Sequence, residues 1–114
     1  MTPTADETAL TDLAETFLVR LPGLSALGGL VLAAVALDLA ADSRSLARDF
    51  GIGHAQVLRE ITDMVEGAEL LTVRSRDART QRRHLALGPG GERLLQGLGS
   101  SLAKRISPPI RGGK

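Results

Sequence analysis

Apolar positions recur along this chain at intervals that change from segment to segment, and those changes divide it into elements. Leu10, Leu13, Phe17 and Leu21, with Leu18 beside them, return every three or four residues and predict an amphipathic helix over 5–20. Asp6, Glu7 and Asp12 towards its start and Arg20 at its end suit the helix dipole, and Pro22-Gly23 terminates it. Residues 24–41 are apolar on nearly every side, the mark of a helix buried inside the fold. Gly28-Gly29 near its start either weakens the first turn or lets another helix approach closely.

A third helix is expected over 43–50, with Ser43 as N-cap and Leu46, Ala47 and Phe50 facing inward. Gly51 supplies the positive φ of a tight turn, and small Ala47 lets the next helix cross closely. Over 54–66, Leu58, Ile61 and Val65, flanked by Val57 and Met64, share one face. A rotation of 100° per residue puts Gln56, Arg59 and Asp63 on the opposite face, with His54 at the exposed N-terminal end. Two β-prone segments, 70–73 and 84–87, flank a polar tip and predict a hairpin. Gly88-Pro89-Gly90-Gly91 reads as a turn closing it. A last helical pattern follows over 92–106 through Leu94, Leu95, Leu98 and Leu102, ending at Lys104-Arg105, and 107–114 reads as an unstructured tail.

The order α-α-α-α-β-β-α defines a mostly α chain with a small β-hairpin. Two helices joined by a tight turn and followed by a basic hairpin, over 43–87, predict a winged helix-turn-helix. One domain is expected, with core and dimerisation helices over 5–41 and a C-terminal dimerisation helix over 91–106.

Composition narrows the chemistry. An apolar share of 43% is ordinary for a globular chain, and with only Phe17 and Phe50 as aromatics the core must be built from Leu, Val, Ile and Ala. So few rings argue against surfaces that stack single-stranded bases. The absence of cysteine removes disulfides, thiol redox chemistry and Cys-based zinc sites. The run 30–37 is too short to span a bilayer, and the polar, acidic start at 1–12 does not read as a secretory signal.

Charge changes the picture more. Residues 1–69 hold four basic and eleven acidic residues, net −7, whereas 70–114 hold ten basic and two acidic, net +8. Five arginines, Arg74, Arg76, Arg79, Arg82 and Arg83, crowd the hairpin tip, more than solubility needs, and favour a polyanion. Two or three of them are expected on phosphates or in a minor groove, the others in solvent. Asp77 is expected to orient an arginine. Gln56 and Arg59 are candidates for base edges, with Arg59 alternatively on phosphate or paired with Asp63 or Glu66. Glu60, Asp63 and Glu66 would have to lie where the helix leaves the groove. His54 and His84 are on different elements without further ligands nearby, so no metal site is expected. No nucleophile–base arrangement or phosphate loop is present, and neither an enzyme nor a cofactor is expected.

The run Leu46-Ala47-Arg48-Asp49-Phe50-Gly51-Ile52, then Leu58-Arg59-Glu60-Ile61-Thr62-Asp63-Met64-Val65-Glu66, Leu70-Leu71, Asp77-Ala78-Arg79 and Leu85-Ala86-Leu87-Gly88-Pro89-Gly90-Gly91 resembles the multiple antibiotic resistance regulator (MarR) family of bacterial transcription factors. The resemblance covers residues 30–95, and its most specific part is the Asp-x-Arg of the hairpin followed by an L-x-L-x-x-x-G ending. It implies that Arg79 enters the minor groove, that the helix over 54–66 lies in the major groove, and that terminal helices pair two subunits. The turn at Gly51-Ile52-Gly53-His54 is one residue longer than the family's, Glu69 stands where it has glycine, and one C-terminal helix stands where it has two. A small-molecule effector is therefore left unassigned.

The expected function is sequence-specific binding of double-stranded DNA by a homodimeric transcriptional regulator, a repressor in a bacterial cytoplasm associated with the nucleoid and not with membrane. DNA contacts are expected from His54, Gln56, Arg59, Arg74, Arg76, Arg79, Arg82 and Arg83, and dimer contacts from Leu10, Leu13, Phe17, Leu95, Leu98 and Leu102. The alternative is a winged-helix adaptor that recruits a protein partner and has only non-specific DNA affinity.

Overall fold

The computed structural model describes residues 5–98. Its elements are α1 (Ala5–Arg20), α2 (Ala26–Ala36), α3 (Ser43–Phe50), α4 (His54–Glu66), β1 (Leu71–Arg76), β2 (Arg83–Leu87) and α5 (Pro89–Gly97). The described chain is thus mostly helical with one two-stranded antiparallel sheet. None of its helices is long and apolar enough to cross a membrane.

Helix α1 has the predicted bounds and buries Leu13, Ala14 and Phe17. It meets α2 closely at Gly29, where a Cβ would come within 3.1 Å of the Leu18 side chain and 3.3 Å of the Ala14 carbonyl oxygen. Close approach is therefore what the glycine pair provides. Helix α2 is capped by Ser25, whose hydroxyl accepts the Gly28 N–H at 2.9 Å. It contributes Val31, Leu32, Ala33 and Ala34 to the core and ends five residues before the expected limit at 41. The cause is Asp38, which takes a left-handed φ of 59° and reverses the chain so that the Leu39 N–H returns to the Ala34 carbonyl at 2.9 Å.

The cap of α3 also differs from expectation. Asp42, not Ser43, is the N-cap; its carboxylate accepts the Ser45 N–H at 2.8 Å and the Ser45 hydroxyl at 2.9 Å. Gly51 closes the helix at φ 67°, as the turn requires. Helix α4 has the predicted bounds and buries Val57, Ile61 and Met64, leaving Leu58 and Val65 half-buried at the edge of that face.

The hairpin is longer than the apolar pattern indicated, because its first strand continues through Arg74, Ser75 and Arg76. The register pairs Leu71 with Leu87 and Val73 with Leu85, shifts at a bulge between Val73 and Ser75, and resumes with Ser75–His84 and Arg76–Arg83. Leu71 and Leu85 point into the core. A single antiparallel bridge between Asp42 and His84, with the Leu85 N–H on the Ala41 carbonyl at 2.7 Å, lays the connector before α3 alongside β2.

Residues Pro89-Gly90-Gly91 belong to α5 and are not a turn before it. Proline suits the first helical position, where its missing N–H would have no intrahelical partner. A Cβ at Gly90 would overlap the Ala68 carbonyl oxygen, and one at Gly91 the Leu70 carbonyl oxygen, so this turn packs directly on the connector between α4 and β1. The remainder of the expected 91–106 helix, with Leu102, Lys104 and Arg105, and the tail 107–114, lie outside the described residues.

Three residues expected at a dimer interface are interior instead. Leu13, Phe17 and Leu98 are each at most 2% exposed and lie in the same core cluster as Val31, Leu32, Leu46, Ile61 and Leu71. Leu10 and Leu95 are partly buried against that cluster. Burying each such side chain contributes roughly 2 kcal/mol to the fold.

The backbone contacts define two stability tests. Gly90→Ala is expected to destabilise the protein by about 3 kcal/mol or more, since backbone rather than a flexible side chain must yield. Glu69 holds φ at 55°, so Glu69→Gly is expected to stabilise by up to about 1 kcal/mol. Urea unfolding of the two variants and the parent checks both.

Candidate nucleic-acid interface

The exposed chemistry gathers where α4, the hairpin and the start of α3 meet. On α4, Gln56 and Arg59 are exposed, as the helical rotation predicted, and among the described residues Arg59 forms no ion pair with Asp63 or Glu66. Glu60 is turned away from that face: it accepts the Ser25 hydroxyl at 2.8 Å, beside the N-terminus of α2. Asp63 and Glu66 remain exposed one and two turns beyond Arg59. The outer face therefore runs from Gln56 and Arg59 into a carboxylate-bearing C-terminal half.

His54 does not occupy the open position expected of it. It is half-buried, and its Nε2 lies 2.8 Å from the Ser43 hydroxyl oxygen. Burial pushes its pKa below the usual 6.5, and the cationic Arg44, Arg83 and Arg82 push the same way against the opposing Asp42. Burial raises the pKa of Asp42, but its bonds from Ser45, and then Arg82 and His84, outweigh this and hold the carboxyl below 3.8.

The five hairpin arginines divide into two groups. Arg74, Arg76 and Arg79 are exposed. Arg82 and Arg83 turn back towards the body. The Arg82 guanidinium sits 3.7 Å from the Asp42 carboxylate with 43% of its side chain exposed, a geometry that contributes little. Arg83 donates from Nη1 to the Thr62 hydroxyl at 3.1 Å, and its Nε is buried without a hydrogen-bond partner among the described residues. Arg83 thus fastens β2 to α4 instead of facing outward.

The tip itself is internally bonded. The Asp77 N–H donates to the Arg82 carbonyl at 2.9 Å and the Gln81 N–H to the Asp77 carbonyl at 2.8 Å, with Gln81 in the left-handed region at φ 62°. Asp77 forms no ion pair with an arginine among the described residues; its Oδ1 accepts the backbone N–H of Arg79 at 2.9 Å. This fixes where Arg79 leaves the loop and leaves its guanidinium free of any ion pair among the described residues.

Two residues of this cluster were not predicted as part of it. Arg44 donates from Nε at 3.2 Å and Nη2 at 2.6 Å to the Thr80 carbonyl, tying α3 to the tip. Its position was the available signal, because a cation in the first turn of a helix is disfavoured by the dipole and points to a partner elsewhere. Ser43, fully buried, has its hydroxyl oxygen 2.8 Å from His54 Nε2 and accepts the Arg83 N–H at 2.9 Å. Its signal was redundancy with Asp42, since one helix needs only one cap.

In comparisons with protein-family models, curated proteins and solved structures, none matches this chain.

The lowered pKa of His54 has a measurable consequence. The unfolded chain takes up a proton near pH 6.5 that the folded state resists, so folding stability is full above that pH and falls as pH drops below it. Urea titrations between about pH 7 and pH 5 should show this decline in the parent and a flatter profile in His54→Gln.

Proposed function

We propose that residues 43–87 form a winged helix-turn-helix that binds double-stranded DNA, and that the chain acts as a homodimeric transcriptional regulator. The observation that carries this reading is the exposure of Arg74, Arg76 and Arg79 on an internally bonded hairpin whose tip-proximal end, at Arg83, is linked through Ser43 to the N-terminus of α4, itself presenting Gln56 and Arg59. Planar guanidinium groups bond phosphate and enter narrow minor grooves, and Arg and Gln match the acceptor and donor patterns of guanine and adenine in the major groove. The hairpin supplies salt-sensitive affinity and α4 supplies sequence choice. Dimerisation falls to surface that the core leaves open, where Val19 on α1 is 79% exposed and Leu10, Leu94 and Leu95 are only partly covered.

One observation favours a second reading. On the outer face of α4 a single arginine is followed by two exposed carboxylates, Asp63 and Glu66, and such a face suits a basic protein partner better than a phosphate backbone. In that reading the hairpin gives only non-specific DNA affinity and the chain is an adaptor.

Titration of duplexes selected from a random pool, at several salt concentrations, separates the two. A regulator with three exposed hairpin arginines in each of two subunits should give a plot of log affinity against log salt with a slope of about −5 and a clear sequence preference. Arg79→Ala, which removes one contact from each subunit, should weaken binding to every duplex and make the slope shallower by about 2, whereas Arg59→Ala should change which sequence is preferred. Binding without preference that disappears near physiological salt would favour the adaptor.

A further inference from the structure

We propose that the Ser43 hydroxyl is the coupling that holds the N-terminus of α4 and strand β2 in one relative position, which makes Ser43 a positioning residue for the surface they present together. Its oxygen accepts the Arg83 N–H, the first of β2, at 2.9 Å and lies 2.8 Å from Nε2 of His54, the first residue of α4. The two partners stand 40 and 11 residues away in sequence, on elements that otherwise meet through side chains such as Arg83 and Thr62. A hydroxyl has one donor and two acceptor sites, so it serves both partners at once.

Burial decides why this link outranks its neighbours. The Arg82–Asp42 pair is long, with 43% of the Arg82 side chain exposed, and the Arg44–Thr80 bonds are exposed, so solvent competes for both. Ser43 is 0% exposed and is the buried polar residue among the described residues. Removing its oxygen leaves the Arg83 N–H without a partner where water does not substitute, and the loss is felt by both elements.

For DNA the consequence rests on the reading above. A duplex fixes the separation of its grooves, so contacts by α4 and by the hairpin add only while the two keep register; uncoupled, they act as two weaker modules.

Hydrogen exchange on the full chain tests the coupling without DNA. Ser43→Ala is expected to speed exchange of the Arg83 amide about tenfold, with Ser43→Thr, which keeps the hydroxyl, restoring protection. His54→Ala should also speed Arg83 exchange in the parent but add nothing in the Ser43→Ala background. Additive effects of the two substitutions overturn the proposal. Should Ser43→Ala not fold, His54→Ala decides alone, and unchanged Arg83 exchange overturns it. In duplex titrations, Ser43→Ala should weaken binding about tenfold with the salt slope unchanged, because no phosphate contact is removed. Coupled exchange in a protein that binds no duplex would sink the DNA reading and leave the coupling standing; intact binding with additive exchange effects would do the reverse.

Discussion

Four consecutive residues, 41–44, line the hairpin up against the helical body, and the candidate interface depends on that alignment. They meet the hairpin in antiparallel order. The Ala41 carbonyl takes the Leu85 N–H, Asp42 bridges His84 and faces Arg82, the Ser43 hydroxyl takes the Arg83 N–H, and Arg44 reaches the Thr80 carbonyl. Main-chain pairing thus gives way, residue by residue, to side-chain pairing as the connector turns into a helix.

Much of the helical layout was legible because it depends on local chemistry. The periodic leucines of α1, the glycine after Phe50 and the alternating faces of α4 each fix a conformation within a few residues. What was not legible depends on partners distant in sequence. The apolar run past Asp38 carries no sign that this residue turns left-handed, so the pattern alone extends α2 beyond its end at Ala36. Arginines in β1 have no strand-like pattern, and only cross-strand pairing with Arg83 and His84 shows that they belong to the sheet. A leucine stripe likewise looks the same whether it meets its own chain or a second copy, so the pattern alone does not reveal that Leu13, Phe17 and Leu98 lie in the core.

The same distinction governs the arginines. Sequence density marked the tip as basic, but not which guanidinium groups face outward. Arg82 and Arg83 sit within reach of Asp42 and Thr62 because β2 passes beside α3 and α4, whereas Arg74, Arg76 and Arg79 lie beyond that contact. The bulge between Val73 and Ser75 contributes to this division, since it breaks the alternation just where the strand leaves the core. Net positive charge in the C-terminal half is therefore partly spent on holding the fold and partly displayed.

The tip from Asp77 to Arg82 closes on its own hydrogen bonds, with Gln81 already in the conformation the loop needs. A partner meeting Arg79 encounters a finished shape, so little backbone freedom remains to be lost on contact. Association should then be governed by diffusion and charge attraction more than by rearrangement of the loop, and a partner that requires a differently curved tip is excluded from the outset.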